Sequence, residues 1–114
     1  MTPDRDDVSV RHVPERRRFE LLVGGAVIGA AHYVPHDAPS GGQRIFFHTV
    51  VDDEYSGQGL GGRLVTAALD DTVAAGLAIV PVCPYVAAFL KRHADLAGHA
   101  VEVTAEHHTA LGRR

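Results

Sequence analysis

From Val8 to Val13 apolar and polar positions alternate (Val8, Val10 and His12 against Ser9 and Arg11), the period of a short half-buried strand. Pro14 and the charged run Glu15 to Arg18 interrupt it and predict a turn. Phe19 to Val23 and Ala26 to Val34 are two further strand-like segments, joined by Gly24-Gly25, the two-residue signal of a tight hairpin. Pro35 to Gln43 (PHDAPSGGQ) is rich in Pro, Gly, Ser and Asp and predicts a loop. Arg44 to Val51 follows, and its core IFFHTVV is an apolar and β-branched run that predicts a buried strand. The first half of the chain thus predicts an antiparallel meander of four strands.

The period then changes. Leu60, Leu64, Val65, Ala68, Leu69 and Val73 recur at helical spacing, and Gly76 supplies a C-cap. Leu77 to Val82 (LAIVPV) is a fully apolar strand, and the strand–helix–strand order predicts that it lies parallel to Ile45–Val51 through a right-handed crossover. Pro81 within it predicts an edge position or a bulge. Cys83-Pro84 opens a second helix over Pro84 to Arg92, with Cys83 at the N-cap. Of the rest, AVEVTAE is a candidate final strand and HHTALGRR a ragged tail. The expected organisation is one compact domain over 1–114, with 1–7 and 107–114 frayed and no internal repeat.

Composition narrows the class. With 46% hydrophobic and 22% charged residues in 114, the chain is an ordinary globular domain rather than a disordered one. A net charge of -3 disfavours nucleic acid and anionic membranes as partners. No apolar run approaches the roughly 20 residues that span a bilayer. The polar start MTPDRDDVSV is unlike a signal peptide, and one cysteine admits no internal disulfide, so a reducing cytoplasm is expected. Ten arginines against one lysine hint at a GC-rich bacterial genome. The run Arg16 to Arg18 suits a solvated hairpin rim better than a phosphate patch. The eight histidines are scattered: His93, His99, His107 and His108 do not share a helix face at i, i+4, so no metal site is expected.

The chemistry concentrates between strand and helix. Gly57, Gly59, Gly61 and Gly62 crowd a helix start, where uncovered N–H groups and the helix dipole make an anion site suited to a cofactor pyrophosphate. Gly57, Gly59 and Gly62 also satisfy the dinucleotide fingerprint G-x-G-x-x-G. That fingerprint follows its strand directly and has an acid about 20 positions on, whereas here Asp52 to Ser56 intervene and Val82 occupies the later position. A four-strand meander ahead of the motif is also the wrong order for a dinucleotide fold.

A strand ending at Val51 and an SGQGLG turn opening a helix resemble the GNAT superfamily of acyl-CoA-dependent N-acyltransferases. Its signature Gln/Arg-x-x-Gly-x-Gly/Ala falls on Ser56 to Gly61, matching at Gly59 and Gly61 and departing at Ser56. The pieces Phe19-Glu20-Leu21, Ala31-His32-Tyr33, Phe47 to Val51, Val80 to Val86 and Phe89 to His93 further resemble the compact single-domain YjdJ-type branch, over roughly residues 19 to 93. The resemblance implies an α/β (α+β) GNAT fold: a mixed sheet of an antiparallel meander with a parallel pair splayed around a coenzyme A site, and two main helices.

It also implies acetyl transfer from acetyl-CoA to a primary amine, such as an exposed lysine or a polyamine, with no metal. Thr49, Val50 and Val51 would meet the pantetheine arm through their backbone, and Ser56, Gly57, Gln58, Gly59, Leu60, Gly61 and Gly62 the pyrophosphate. A strand N–H would polarise the thioester oxygen. Pro84, Tyr85 and Phe89 would line the coenzyme or acyl pocket, or belong to the core. Cys83, whose branch counterpart carries a proposed catalytic role, is a candidate acyl-accepting nucleophile, and equally suits a small buried helix cap. His48 is a candidate general base for the amine, or a core histidine bonded to backbone. Glu54 offers a proton route through water, or is a solvated loop acid. Asp52, Asp53 and Glu54 would attract a cationic acceptor. Lys91, Arg92 and His93 complement a helix C-terminus or touch a coenzyme phosphate. The alternative function is a non-catalytic module that binds coenzyme A.

Overall fold

The alternating segments of the first half pair in chain order. A computed structural model describes residues 7–112. Its elements are β1 (Val8–Val13), β2 (Arg18–Val23), β3 (Ala26–Ala38), β4 (Gly41–Val51), α1 (Leu60–Ala74), β5 (Ala78–Pro81), α2 (Pro84–Leu90), α3 (Ala94–Ala97) and α4 (Ala105–Gly112). They form one sheet in the order β1-β2-β3-β4-β5, antiparallel up to β4, with β5 parallel to β4 at the edge. Of the two places expected for Pro81, an edge or a bulge, β5 takes the edge. Among the described residues no helix is long and apolar enough to cross a membrane.

Four expectations are corrected. Pro35 to Gln43 is not a loop: β3 and β4 continue as a long hairpin to Ala38 and Gly41, pairing Pro35 with Arg44 and Ala38 with Gly41. The ladder between β2 and β3 stops at Arg18 and His32, so Pro35 lies where β3 has outrun its neighbour and has no amide to donate there. AVEVTAE is not a strand; only Ala100 bridges to Ile79, and 101–104 is irregular. The segment after it is helical over Ala105–Gly112 rather than frayed, while residues 1–6, 113 and 114 of the expected termini lie outside the described residues. The second helix closes at Leu90, two residues before Arg92.

One face of the sheet carries the main core. Leu60, Leu64, Val65, Ala68, Leu69 and Thr72 of α1 are buried with Phe19, Leu21, Val23, Ala31, Tyr33 and Phe46, and Val86 and Leu90 of α2 join them. Gly61 and Gly62 each cost α1 roughly 1 kcal/mol of helix propensity. Burying four Leu or Val side chains at about 1.5–3 kcal/mol each outweighs that. The helix ends as expected at Gly76, whose φ of 75° lets its N–H reach Val73 O and that of Leu77 reach Thr72 O.

The opposite face is covered at the hairpin end by α4. There His107 is buried, its Nδ1 accepting from the Thr104 N–H at 2.9 Å and its Nε2 donating to Gln43 Oε1 at 2.8 Å. Both ring nitrogens are therefore committed to the neutral imidazole. Burial, then the neighbouring His36, holds its pKa below the ordinary 6.5. Burial acts the same way on His12 and His32.

A depressed histidine pKa means that the unfolded chain takes up protons first, so stability is full above about pH 6.5 and falls as pH drops through the folded-state values. Urea unfolding at pH 7.5 and 5.5 should show this loss, and His107→Gln should shrink the difference without abolishing it, because His12 and His32 remain. At the start of α1, Gly59 has φ 76° and Gly62 has helical φ, and neither has a neighbour within 4 Å of an added Cβ. Gly59→Ala should therefore cost about 1–2 kcal/mol, whereas Gly62→Ala should gain about 0.5–1 kcal/mol, both read by urea unfolding.

Candidate active site at the split between two strands

The parallel ladder between β4 and β5 is short. It runs from Gln43 opposite Ala78 to Phe46 opposite Pro81 and stops there. Ile79 turns its N–H and C=O to the outer side, toward His99 and Val101, so by the strand's period of two the amide-less Pro81 faces that outer edge and costs the ladder to β4 no donor. Val82 N–H turns back to Val80 O at 3.1 Å, and Cys83 N–H makes the last tie, to Phe46 O at 2.8 Å. On the other strand a bulge at Phe47 separates the pairs Tyr33–Phe46 and His32–His48, and such a bulge bends a strand and sharpens its twist. Beyond this point β4 continues to Val51 paired with β3 alone, and its edge facing the departed β5 lies outside the ladder at Thr49, Val50 and Val51.

Cys83 sits in the notch. It is buried, caps the seven-residue α2, and donates its thiol to Thr49 Oγ1 at 3.5 Å. Its extended backbone is what a residue before proline adopts. The Thr49 hydroxyl is a partner that sequence alone did not single out.

The expected base lies apart from the thiol. Strict strand alternation would put Phe47 and His48 on opposite faces, but the bulge brings both rings beside His32, at 6.2 Å and 5.8 Å. His48 is exposed, on the face opposite the one where Thr49 meets Cys83. Burial, with Arg18 and His48 nearby, lowers the pKa of His32.

The glycine turn stands next to the notch. A single 3-10 turn, Asp53–Tyr55, ends β4; Ser56 Oγ donates to Asp53 O at 2.9 Å and Gln58 Nε2 to Glu54 O at 3.4 Å. These two side chains brace the loop from within. Gly57 and Gly59 both have φ near 77°, and the amides of Gly57, Gln58 and Gly59 donate to no backbone carbonyl among the described residues. Leu60, Gly61 and Gly62 add the first helix amides, which have no intrahelical partner. The Leu60 side chain is buried in the core, so only its backbone faces the turn. Gly61 answers to a contact: a Cβ there would meet the Tyr85 hydroxyl at 2.5 Å.

Tyr85, half exposed, thus reaches from α2 over the start of α1. Together with Gly59, Gly62, Ala88, Phe89, Arg92 and His93 it lines a cavity of about 380 Å3. Pro84 is exposed at the first position of α2, outside that lining. Asp52, Asp53 and Glu54 are exposed at the end of β4. Among the described residues no three His, Cys, Asp or Glu side chains gather where they could hold a metal ion.

The chain matches no curated protein. It shares its fold with an aminoglycoside acetyltransferase, meta-AAC0020, from an uncultured soil metagenomic sample. Against that enzyme in complex with sisomicin, the identity is 20% and the TM-score 0.54, with 66% of this chain and 54% of that chain covered. Against it in complex with trehalose, the figures are 16% and 0.54, with 92% and 72% covered. In the first of these alignments the chain spans about half the enzyme's length. The family profile described as GCN5-related N-acetyl-transferase matches residues 18–99. The chain belongs to the GCN5-related N-acetyltransferase family, and its mixed sheet with a split parallel pair is that family's fold.

Proposed function

We propose that the protein is an acetyl-CoA-dependent N-acetyltransferase acting on a primary amine, with Cys83 at the acyl site. The observation that carries this reading is the adjacency of three features: a strand edge left outside the ladder at Thr49 to Val51, unpaired amides at Gly57 to Gly59, and a thiol in the notch between them. The residues suit the coenzyme. The glycine turn is open, with nothing within 4 Å of an added Cβ at Gly57, Gly59 or Gly62, so a diphosphate has room against the amides. The free edge offers backbone groups at strand spacing to an amide-bearing pantetheine arm.

Bound acetyl-CoA would supply an acetyl group activated as a thioester. Backbone N–H groups of β4 would stabilise negative charge on its carbonyl oxygen. Thr49 holds the Cys83 thiol in place. His48, open to solvent on the far face of β4, is the proposed proton acceptor for an amine arriving from that side. Asp52, Asp53 and Glu54 favour a cationic acceptor such as a polyamine or an exposed lysine.

Calorimetry with coenzyme A, thiol release with an amine panel, and intact mass test the reading together. Cys83→Ala should lower thiol release by about tenfold or more while changing coenzyme affinity by less than about threefold, the pattern of a group needed for chemistry rather than for binding. A single-acetyl mass gain that disappears in Cys83→Ser would identify the thiol as the acceptor. Undiminished release from Cys83→Ala would dismiss that role. Binding without turnover of any amine would leave a coenzyme-binding module, and no heat on titration would end the coenzyme reading.

A further inference from the structure

The cavity beside the glycine turn extends beyond the turn itself. Its lining starts at Gly59 and Gly62 and finishes at Arg92 and His93 beyond the C-terminus of α2. From Tyr85 to Arg92 that wall is about 10 Å long at helical rise. No carboxylate is among the lining residues, although the chain is acidic overall, at -3. Three other cavities each include an acid: Glu106 in one, Glu15 and Glu20 in the second, Asp37 in the third. The Arg92 side chain is exposed, and among the described residues no carboxylate forms a salt bridge with it. His93 lies flat against Phe89, with ring centroids 3.9 Å apart and planes within 17°, so its imidazole is held at the cavity rim.

We propose that Arg92 and His93 form a second phosphate subsite, which makes the protein select the 3′-phosphorylated coenzyme over its dephospho form. The subsite rests on the coenzyme reading above and adds a specificity to it. The glycine amides can serve one diphosphate. A guanidinium with no carboxylate partner among the described residues, in the same acid-free cavity, fits a separate phosphate monoester, for which arginine offers paired donors. A guanidinium that only complemented the end of α2 would affect stability and leave ligand choice untouched.

The test is calorimetry on the full chain with coenzyme A and with dephospho-coenzyme A, using the wild type, Arg92→Ala and Arg92→Lys, with melting curves to confirm folding. The wild type should bind coenzyme A about tenfold more tightly than the dephospho form, as expected for a charged hydrogen bond at a partly exposed site. Arg92→Ala should erase the difference by weakening only coenzyme A, Arg92→Lys should keep part of it, and added salt should narrow it. Equal wild-type affinity for the two ligands overturns the subsite, as does equal weakening of both in Arg92→Ala. No heat with either ligand removes the coenzyme reading and the subsite with it, so the two failures have different signatures.

Discussion

The site exists because two parallel strands can stay together for only four residues. After Pro81 the Val82 N–H turns back to Val80 O, the bulge at Phe47 bends β4, and Cys83 makes the last backbone tie to Phe46. Each device is local: an amide turned back on its own strand, an extra residue, an extended pre-proline backbone. Together they turn what would be a continuous parallel pair into a fork. The strand edge thereby left unpaired would be a liability on an ordinary sheet surface. Here it opens beside the glycine turn, where an extended ligand with its own amides fits.

A fork is useful only if its two sides do not drift, and the opposite end of α1 shows what holds them. Arg44 of β4 is buried and donates to Asp71 Oδ2 at 2.8 Å and to Thr72 Oγ1 at 3.1 Å. Its guanidinium lies 5.6 Å from the Phe19 ring centre and 5.1 Å from that of Tyr33. Tyr33 in turn shares a 2.6 Å hydrogen bond with His12, which stacks on Phe19. A buried arginine with this set of partners is poor evidence of net stability, because desolvation offsets much of the attraction. Its geometric effect is clearer: the last turns of α1 are tied to β1, β3 and β4, while of the glycines near its start Gly57, Gly59 and Gly62 stay open and Gly61 lies under Tyr85. A second buried charge, Glu20, is matched in the same way by Arg11 and Arg18, whose hydrogen bonds hold its carboxyl below the usual range.

Much of this was legible from residue order. The meander, the hairpin at Gly24-Gly25, the α1 stripe, the cap at Gly76 and the parallel β5 all follow from periods and punctuation whose effects are local. The glycine turn and the N-cap place of Cys83 were legible for the same reason. Segments whose state depends on distant partners were not. The Pro35–Gln43 stretch has loop composition, yet it pairs with itself and is covered by α4 through His107 and Gln43. The helical state of Ala105–Gly112 likewise goes with that docking, since its own apolar pattern is weak.

The sequence by itself determined which elements form, their order, and the chemical types gathered around one turn, because backbone preference and hydrophobic period act over a few neighbours. Only the tertiary structure decided that Thr49 rather than His48 meets the Cys83 thiol, since one bulged residue shifts the register of every side chain after it. It also decided that Tyr85 reaches over Gly61, and that Arg92 and His93 share a cavity with glycines thirty residues earlier. Those contacts join parts of the chain that no local rule connects, and they arise only when the helices pack on the sheet.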